Sequence, residues 1–130
     1  MPDRMTLVDT DVMVDIRRGH PPALAWFDGL GEVPGLPGFV LMELVAGCKT
    51  RKDMRAVKKQ ASLFQIYWPT SADCEQALEL FMATRFSSGL SMPDAIIGAT
   101  AMGLSATLFT FNVRDFKTIK GLDFQAPYAR

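Results

Sequence analysis

The segment that most narrows the fold is AIIGATAMGLSATLFTF, residues 95 to 111. Wound as a helix, its first half is apolar on most faces, and such a helix must be buried. Its second half, ATLFTF, reads as an apolar strand. The whole stretch is short for a membrane span and carries Gly, Ser and Thr throughout. A buried helix handing over to a buried strand is the expectation.

The same alternation runs along the chain. MTLV (5–8) reads as a short buried strand, and VMVDIRR as a helix with Asp11 as its N-cap. His20-Pro21-Pro22 ends that helix, and its prolines can open the next, ALAWFDGL. GLGEVPGLPG, residues 29 to 38, is a Gly/Pro-rich loop. GFVLMELVAGC then reads as a strand turning helical near Leu41, with Gly47 near its end. KTRKDMRAVKKQASLF is a basic amphipathic helix and IYW (66–68) a short strand. Thr70 to Asp73 forms a capping box before Cys74, Ala77, Leu78, Phe81 and Met82, which recur at helical spacing until Ser87-Ser88-Gly89. Asn112 to Ile119 is a short helix or turn, and DFQAP a last strand. Strands alternating with helices predict an α/β fold: one domain, with a mostly parallel central sheet flanked by helices. In such sheets, sites lie beyond the carboxyl ends of the strands.

Fourteen basic and fourteen acidic residues leave a formal net charge of zero, so no global field draws the chain to nucleic acid. Any such contact must be a local patch. Cys48 and Cys74 offer no metal spacing with the single His20 and read as reduced thiols. Asp3, Arg4, Asp9 and Asp11 interrupt any early apolar run, so a cytoplasmic protein with no membrane association is expected.

Glu43 is the only charge between Glu32 and Lys49. A lone carboxylate in an apolar segment is costly unless it is paired or meets a cation. Asp9 closes the first strand, where it either starts a turn or serves a site. Asp94, in Ser91-Met92-Pro93-Asp94, has the position of a capping-box acid, yet a first-turn acid can also present an oxygen outward. Asn112 and Asp115, in FNVRDF, stand at or just past a strand end. Carboxylates gathered at one edge repel, so either one holds its proton or a cation screens them. Mg²⁺ takes oxygen ligands and keeps several waters, and bound metal can activate water against a phosphoryl group. The pattern suggests metal-assisted phosphodiester hydrolysis. A nucleophilic triad would need His20, which sits in a Pro-rich turn, and neither a dinucleotide-binding glycine motif nor a Walker lysine is present.

LVDTDVMVD, MELVAG, MPDAIIGATA and LFTFNVRDF, in this order and spacing, resemble the PIN-domain family, and most closely its VapC-like ribonuclease toxins of type II toxin–antitoxin pairs. The resemblance covers Thr6 to Pro127. It implies a three-layer PIN-like fold over residues 1–130 and an endoribonuclease dependent on Mg²⁺ or Mn²⁺. It implies Asp9 and Asp94 as main metal ligands, with Glu43 and either Asn112 or Asp115 completing the site and positioning or activating the attacking water. Thr10 would support the site. Asp11, where the family more often has Asn, either adds charge near the metal or caps the helix. A small cognate antitoxin and a homodimer are further implications.

The basic run from Lys49 to Lys59 also includes Arg51, Lys52 and Arg55. It reads either as a solvated helix face or as a patch that follows RNA phosphates, which Arg17 and Arg18 could extend. Two other readings stand beside the nuclease. One is a PIN-like binding module without catalysis, suggested by Asn112 in place of an acid. The other is a haloacid-dehalogenase-type phosphatase using Asp9 and Asp11, which leaves Glu43 unexplained.

Overall fold

The computed structural model describes residues 4–130; Asp3 lies outside them. The chain runs β1 (Thr6–Val8), α1 (Thr10–Arg17), α2 (Pro21–Asp28), β2 (Leu36–Pro37), α3 (Gly38–Ala46), α4 (Arg51–Ala61), β3 (Ile66–Tyr67), α5 (Ser71–Thr84), α6 (Met92–Gly103), β4 (Thr107–Phe109), α7 (Val113–Phe116) and β5 (Asp123–Gln125). All strand pairings are parallel. β4 lies between β1 and β5, with Leu7 opposite Leu108 and Leu108 opposite Phe124. β2 pairs with β3, and a Leu7–Gly35 bridge joins this pair to β1. There the Val8 N–H donates to Gly35 O at 3.1 Å, and the Gly35 N–H to Thr6 O at 2.8 Å. The order across the molecule is therefore β3-β2-β1-β4-β5, a parallel sheet flanked by helices. Gly35 permits this close join, because a Cβ there would stand 2.6 Å from the Tyr67 ring and 2.8 Å from Leu7.

Such short strands cannot hold themselves together, so packing on their faces must do it. Leu7, Val8, Leu108 and Phe109 are buried, with Val12 and Met13 of α1, Ile97 of α6 and Phe116 of α7. Each such side chain contributes about 1.5–3 kcal/mol when fully withdrawn from water. The expected burial of the AIIGATAMGL helix is observed: Ala95, Ile97, Gly98, Ala99, Thr100 and Ala101 are all buried, and α5 packs along its length. The Thr70–Asp73 capping box is formed in both directions.

Three local expectations need correction. Asp11 is not the N-cap of α1. Asp9 is, accepting the Thr10 N–H, and Asp11 lies in the first turn. GFV is not a strand: the strand is Leu36–Pro37, and α3 begins at Gly38. The β-branched and aromatic residues there suggested extension, but Pro37 has β geometry at the cap position and passes the chain straight into a helix. α5 stops at Thr84, before the serines.

Candidate active site

The site lies at the carboxyl ends of β1 and β4, where the parallel sheet delivers two loops side by side. Asp9 immediately follows β1, and its backbone N–H donates to Phe109 O at 2.9 Å. Asp9 is only 5% exposed. One carboxylate oxygen accepts the Thr10 N–H at 2.8 Å, and the other the Thr110 hydroxyl at 2.7 Å. Thr110 follows β4 and is fully buried. Its hydroxyl oxygen also accepts the Asn112 N–H at 3.0 Å, so one side chain ties Asp9 to the loop carrying Asn112.

The other acids arrive from helices. Glu43, on the second turn of α3, accepts the Thr10 hydroxyl at 2.9 Å. Asp94 sits in the first turn of α6, where its N–H is capped by the Ser91 hydroxyl at 3.2 Å. Its carboxylate accepts the Asn112 side-chain amide at 3.2 Å. The cap and an outward-facing carboxylate thus coexist at Asp94. Asp11 turns both oxygens to backbone N–H groups, Val12 at 2.8 Å and Phe111 at 2.9 Å. That leaves it engaged rather than free to serve as the acid/base of a phosphatase. Asp115 lies across from Gly89, where a Cβ would come within 3.2 Å of its Oδ1.

The electrostatics reflect this crowding. Burial pushes the Asp9 carboxyl up to about 7, helped by the Asp11 charge and, less, by Asp94; hydrogen bonds from Thr110 and Thr10 oppose the shift. Burial also raises Asp94, to about 6. The Ser91 hydroxyl pulls it back, while Glu43, Asp115 and Asp11 push it further up. Asp11 is raised by burial against the pull of the Phe111 and Val12 N–H groups. The sequence-selected acids therefore feel one another across α1, α3, α6 and α7. Among the described residues, the ion pairs are Arg4–Asp123 and Arg130–Asp15, and neither neutralises Asp9, Glu43 or Asp94.

Among the described residues, no group of three His, Cys, Asp or Glu side chains is gathered tightly enough to hold a metal ion as it stands. The donor chemistry nevertheless fits a hard cation. The donors are all oxygens, buried or half-buried, with mutual repulsion that a cation relieves. Mg²⁺ commonly takes only one or two protein carboxylates and fills its octahedron with water and substrate, so a three-carboxylate cage is not required.

The basic residues collect elsewhere. Lys49, Arg51 and Arg55 line a cleft of about 650 Å³ with Cys48, Thr50 and Met54. Arg17, Arg18 and Lys49 line a second, of about 360 Å³, at the joint of α1 with the α3–α4 loop. Lys49 belongs to both, so residues distant in sequence form one basic strip. Lys52 is exposed on α4 and lines neither cleft. Sequence reasoning missed Thr110. The available signal was a hydroxyl residue at the end of an otherwise apolar strand. It also assigned no chemistry to Asp15; that carboxylate meets Tyr128 and Arg130.

No described helix is long and apolar enough to cross a membrane. Residues 6–122 match the family profile described as PIN domain. Ribonuclease VapC19 of Mycobacterium tuberculosis is 32% identical over 130 residues, covering 95% of this chain and all of the relative. A toxin–antitoxin complex from Klebsiella pneumoniae superposes with a TM-score of 0.78 at 26% identity, over 96% of this chain and 99% of that one. DNA-bound VapBC from Salmonella typhimurium superposes with a TM-score of 0.84 at 17% identity, over 96% and 99%. The order β3-β2-β1-β4-β5, the acids at its carboxyl edge and these likenesses agree: the chain belongs to the PIN-domain family, on its VapC-like side.

Proposed function

We propose that the protein is a metal-dependent endoribonuclease, the toxin of a VapBC-type pair, hydrolysing RNA phosphodiester bonds. The observation that carries this reading is the convergence of Asp9, Glu43, Asp94 and Asn112 on one sheet edge, with no Lys or Arg among them to cancel the charge. Asp9 and Asp94 would hold Mg²⁺ or Mn²⁺, with Glu43 as a third ligand, direct or through water. When bound, such an ion supplies Lewis-acid stabilisation of the phosphate and a more acidic water.

The protein's own residues prepare the site. The Thr10 hydroxyl orients Glu43 towards the acids, where its carboxylate can accept a proton from the attacking water. Thr110 fixes the rotamer of Asp9. Asn112 orients Asp94 and is favoured over Asp115 as the fourth site residue by its direct hydrogen bond; Asp115 acts through its field. Asp11 supports the site by holding the loop after β4. The strip formed by Arg17, Arg18, Lys49, Arg51 and Arg55 would follow the RNA backbone away from the acids, with Lys52 peripheral to it. A small antitoxin is the expected partner, supported by neighbours solved as toxin–antitoxin complexes. A homodimer acting in the cytoplasm completes the reading.

The test is cleavage of RNA by purified protein with Mg²⁺ or Mn²⁺, beside Asp94→Ala and excess EDTA. Both should abolish cleavage while the variant keeps its fold. Undiminished cleavage in either overturns the proposal. Calorimetry with Mg²⁺, using Asp9→Asn as control, separates it from an inert PIN-like module, which would show no carboxylate-dependent binding.

A further inference from the structure

Phe111 stands between Thr110 and Asn112, two residues that grip the acids, and is itself held from three directions. The Asp11 carboxylate accepts its N–H at 2.9 Å. The Tyr128 ring meets its ring edge-on, with centroids 4.9 Å apart. The Arg130 guanidinium lies over the ring, 4.6 Å from its centroid. Both outer residues are anchored to α1 through one carboxylate. The Tyr128 hydroxyl donates to Asp15 Oδ2 at 2.8 Å, and Arg130 Nη2 to Asp15 Oδ1 at 3.2 Å. Tyr128 also packs near Trp26, with centroids 5.9 Å apart.

We infer that Tyr128 and Arg130 are positioning residues: they clamp Phe111 against α1 and thereby hold Asn112 on Asp94. The inference rests on the ribonuclease reading and adds to it residues remote from the reacting atoms. Three features support a positioning role over simple packing. Phe111 is only half-buried, so burying its ring does not account for so many contacts. The contacts are directional: an N–H to carboxylate bond, an edge-to-face pair and a cation over a ring. They also bracket a loop beyond a strand end, the kind of segment that opens locally unless tied down. α1 is the natural anchor, because it begins at Asp9 and Thr10 and so moves with them. The clamp fixes the β4 side of the site in register with the β1 side.

The experiment compares Arg130→Ala, Arg130→Lys and Tyr128→Phe with the unaltered protein, alone and in an Asn112→Ala background. Single-turnover RNA cleavage is measured beside amide hydrogen exchange without metal. Loosening the loop should lower the rate of cleavage in Arg130→Ala about tenfold, with KM within about twofold, because misplacement of a positioned group by a fraction of an ångström is felt in the chemical step. Arg130→Lys should recover part of that loss, since it keeps the charge. In the Asn112→Ala background, Arg130→Ala should add less than about twofold, the non-additivity of residues acting through one another. Exchange at the Phe111 and Asn112 amides should quicken while the β1 and β4 amides stay protected. Rates unchanged in both Arg130→Ala and Tyr128→Phe, effects that multiply with Asn112→Ala, or unchanged exchange at Phe111 would each overturn the clamp. If the unaltered protein cleaves no RNA, the ribonuclease reading fails, and the exchange comparison still decides whether Tyr128 and Arg130 hold the loop.

Discussion

Replacing Asp9 with Asn should stabilise the metal-free protein at pH 8 and not at pH 4. Asp9 holds its proton to about 7 in the folded state, against 3.8 for the ordinary carboxyl, chiefly through burial. Between those values the native state binds a proton that the unfolded chain has released. Stability therefore falls as pH rises through this window. A shift of roughly 3 units corresponds to about 4 kcal/mol lost by pH 8, an upper limit because neighbouring groups relax as the charge develops. Asn carries no charge and avoids this loss. It offers one acceptor oxygen where Asp9 uses two, for the Thr10 N–H and the Thr110 hydroxyl. Losing one of those bonds costs about 1 kcal/mol.

The net expectation at pH 8 is a gain of about 2–3 kcal/mol, or about 10 °C in Tm for a chain of this size. Near pH 4 the charge benefit shrinks below about 1 kcal/mol and the lost acceptor cancels it. Urea unfolding in EDTA at pH 4, 6 and 8, with equal m-values required of both proteins, reads the difference directly. A variant less stable at pH 8, or an offset that does not change with pH, refutes the reasoning. Saturating Mg²⁺ at pH 8 should reverse the ranking. Mg²⁺ at about a thousand times its Kd adds about 4.1 kcal/mol to the protein that binds it, more than the offset of about 2–3 kcal/mol, and the variant should gain much less.

Two further outcomes follow from named contacts. Thr110→Val removes the hydroxyl shared by Asp9 and the Asn112 N–H; steady-state cleavage should fall at least about tenfold, with Tm lowered by the equivalent of about 1–3 kcal/mol for stranded polar groups. Wild-type activity in that variant would remove Thr110 from the machinery. For the basic strip, Arg17→Ala, Arg18→Ala and Lys49→Ala should each flatten the log–log salt dependence of RNA binding by about 0.7, the single-strand value per phosphate contact, whereas Lys52→Ala should leave the slope unchanged. Slopes that do not separate these residues would return the strip to a plain solvated surface.

The elements and their order were legible because burial writes itself into apolar periodicity: α6 from Ala95 onward and β4 fall in one charge-free, mostly apolar stretch. The acids of the candidate site were legible for the opposite reason, since a lone carboxylate such as Glu43 in the apolar MELVAG segment is costly unless it is paired or meets a cation. Boundaries were less legible. At Pro37–Gly38 local preference favours extension, but the chain turns helical at once. The sequence alone places the cap of α1 at Asp11 rather than Asp9 because both can cap a helix start, and only the position of Phe111 decides which carboxylate turns away. Thr110 carries only the faint signal of a hydroxyl at the end of an apolar strand, and Tyr128 and Arg130 carry none. Their partners lie about a hundred residues back along the chain, and no local pattern encodes a contact of that span.

The choice of partners for the acids has a physical logic. A fold that only had to tolerate buried carboxylates would place Arg or Lys beside them, as Arg130 stands beside Asp15. Burial raises the Asp15 carboxyl, but the Tyr128 and Arg130 hydrogen bonds and the Arg130 charge outweigh it and hold Asp15 below its ordinary value. Asp9, Glu43 and Asp94 instead receive Thr110, Thr10 and Asn112. A hydroxyl or amide fixes the direction of a carboxylate while leaving its charge uncancelled. An arginine would fix the direction and consume the charge, lowering the attraction for any outside cation by the same interaction that stabilised the fold. Neutral donors therefore keep the site oriented but electrostatically unsatisfied, and the sign change predicted for Asp9→Asn between metal-free and Mg²⁺-bound protein measures how much of that dissatisfaction is available for binding.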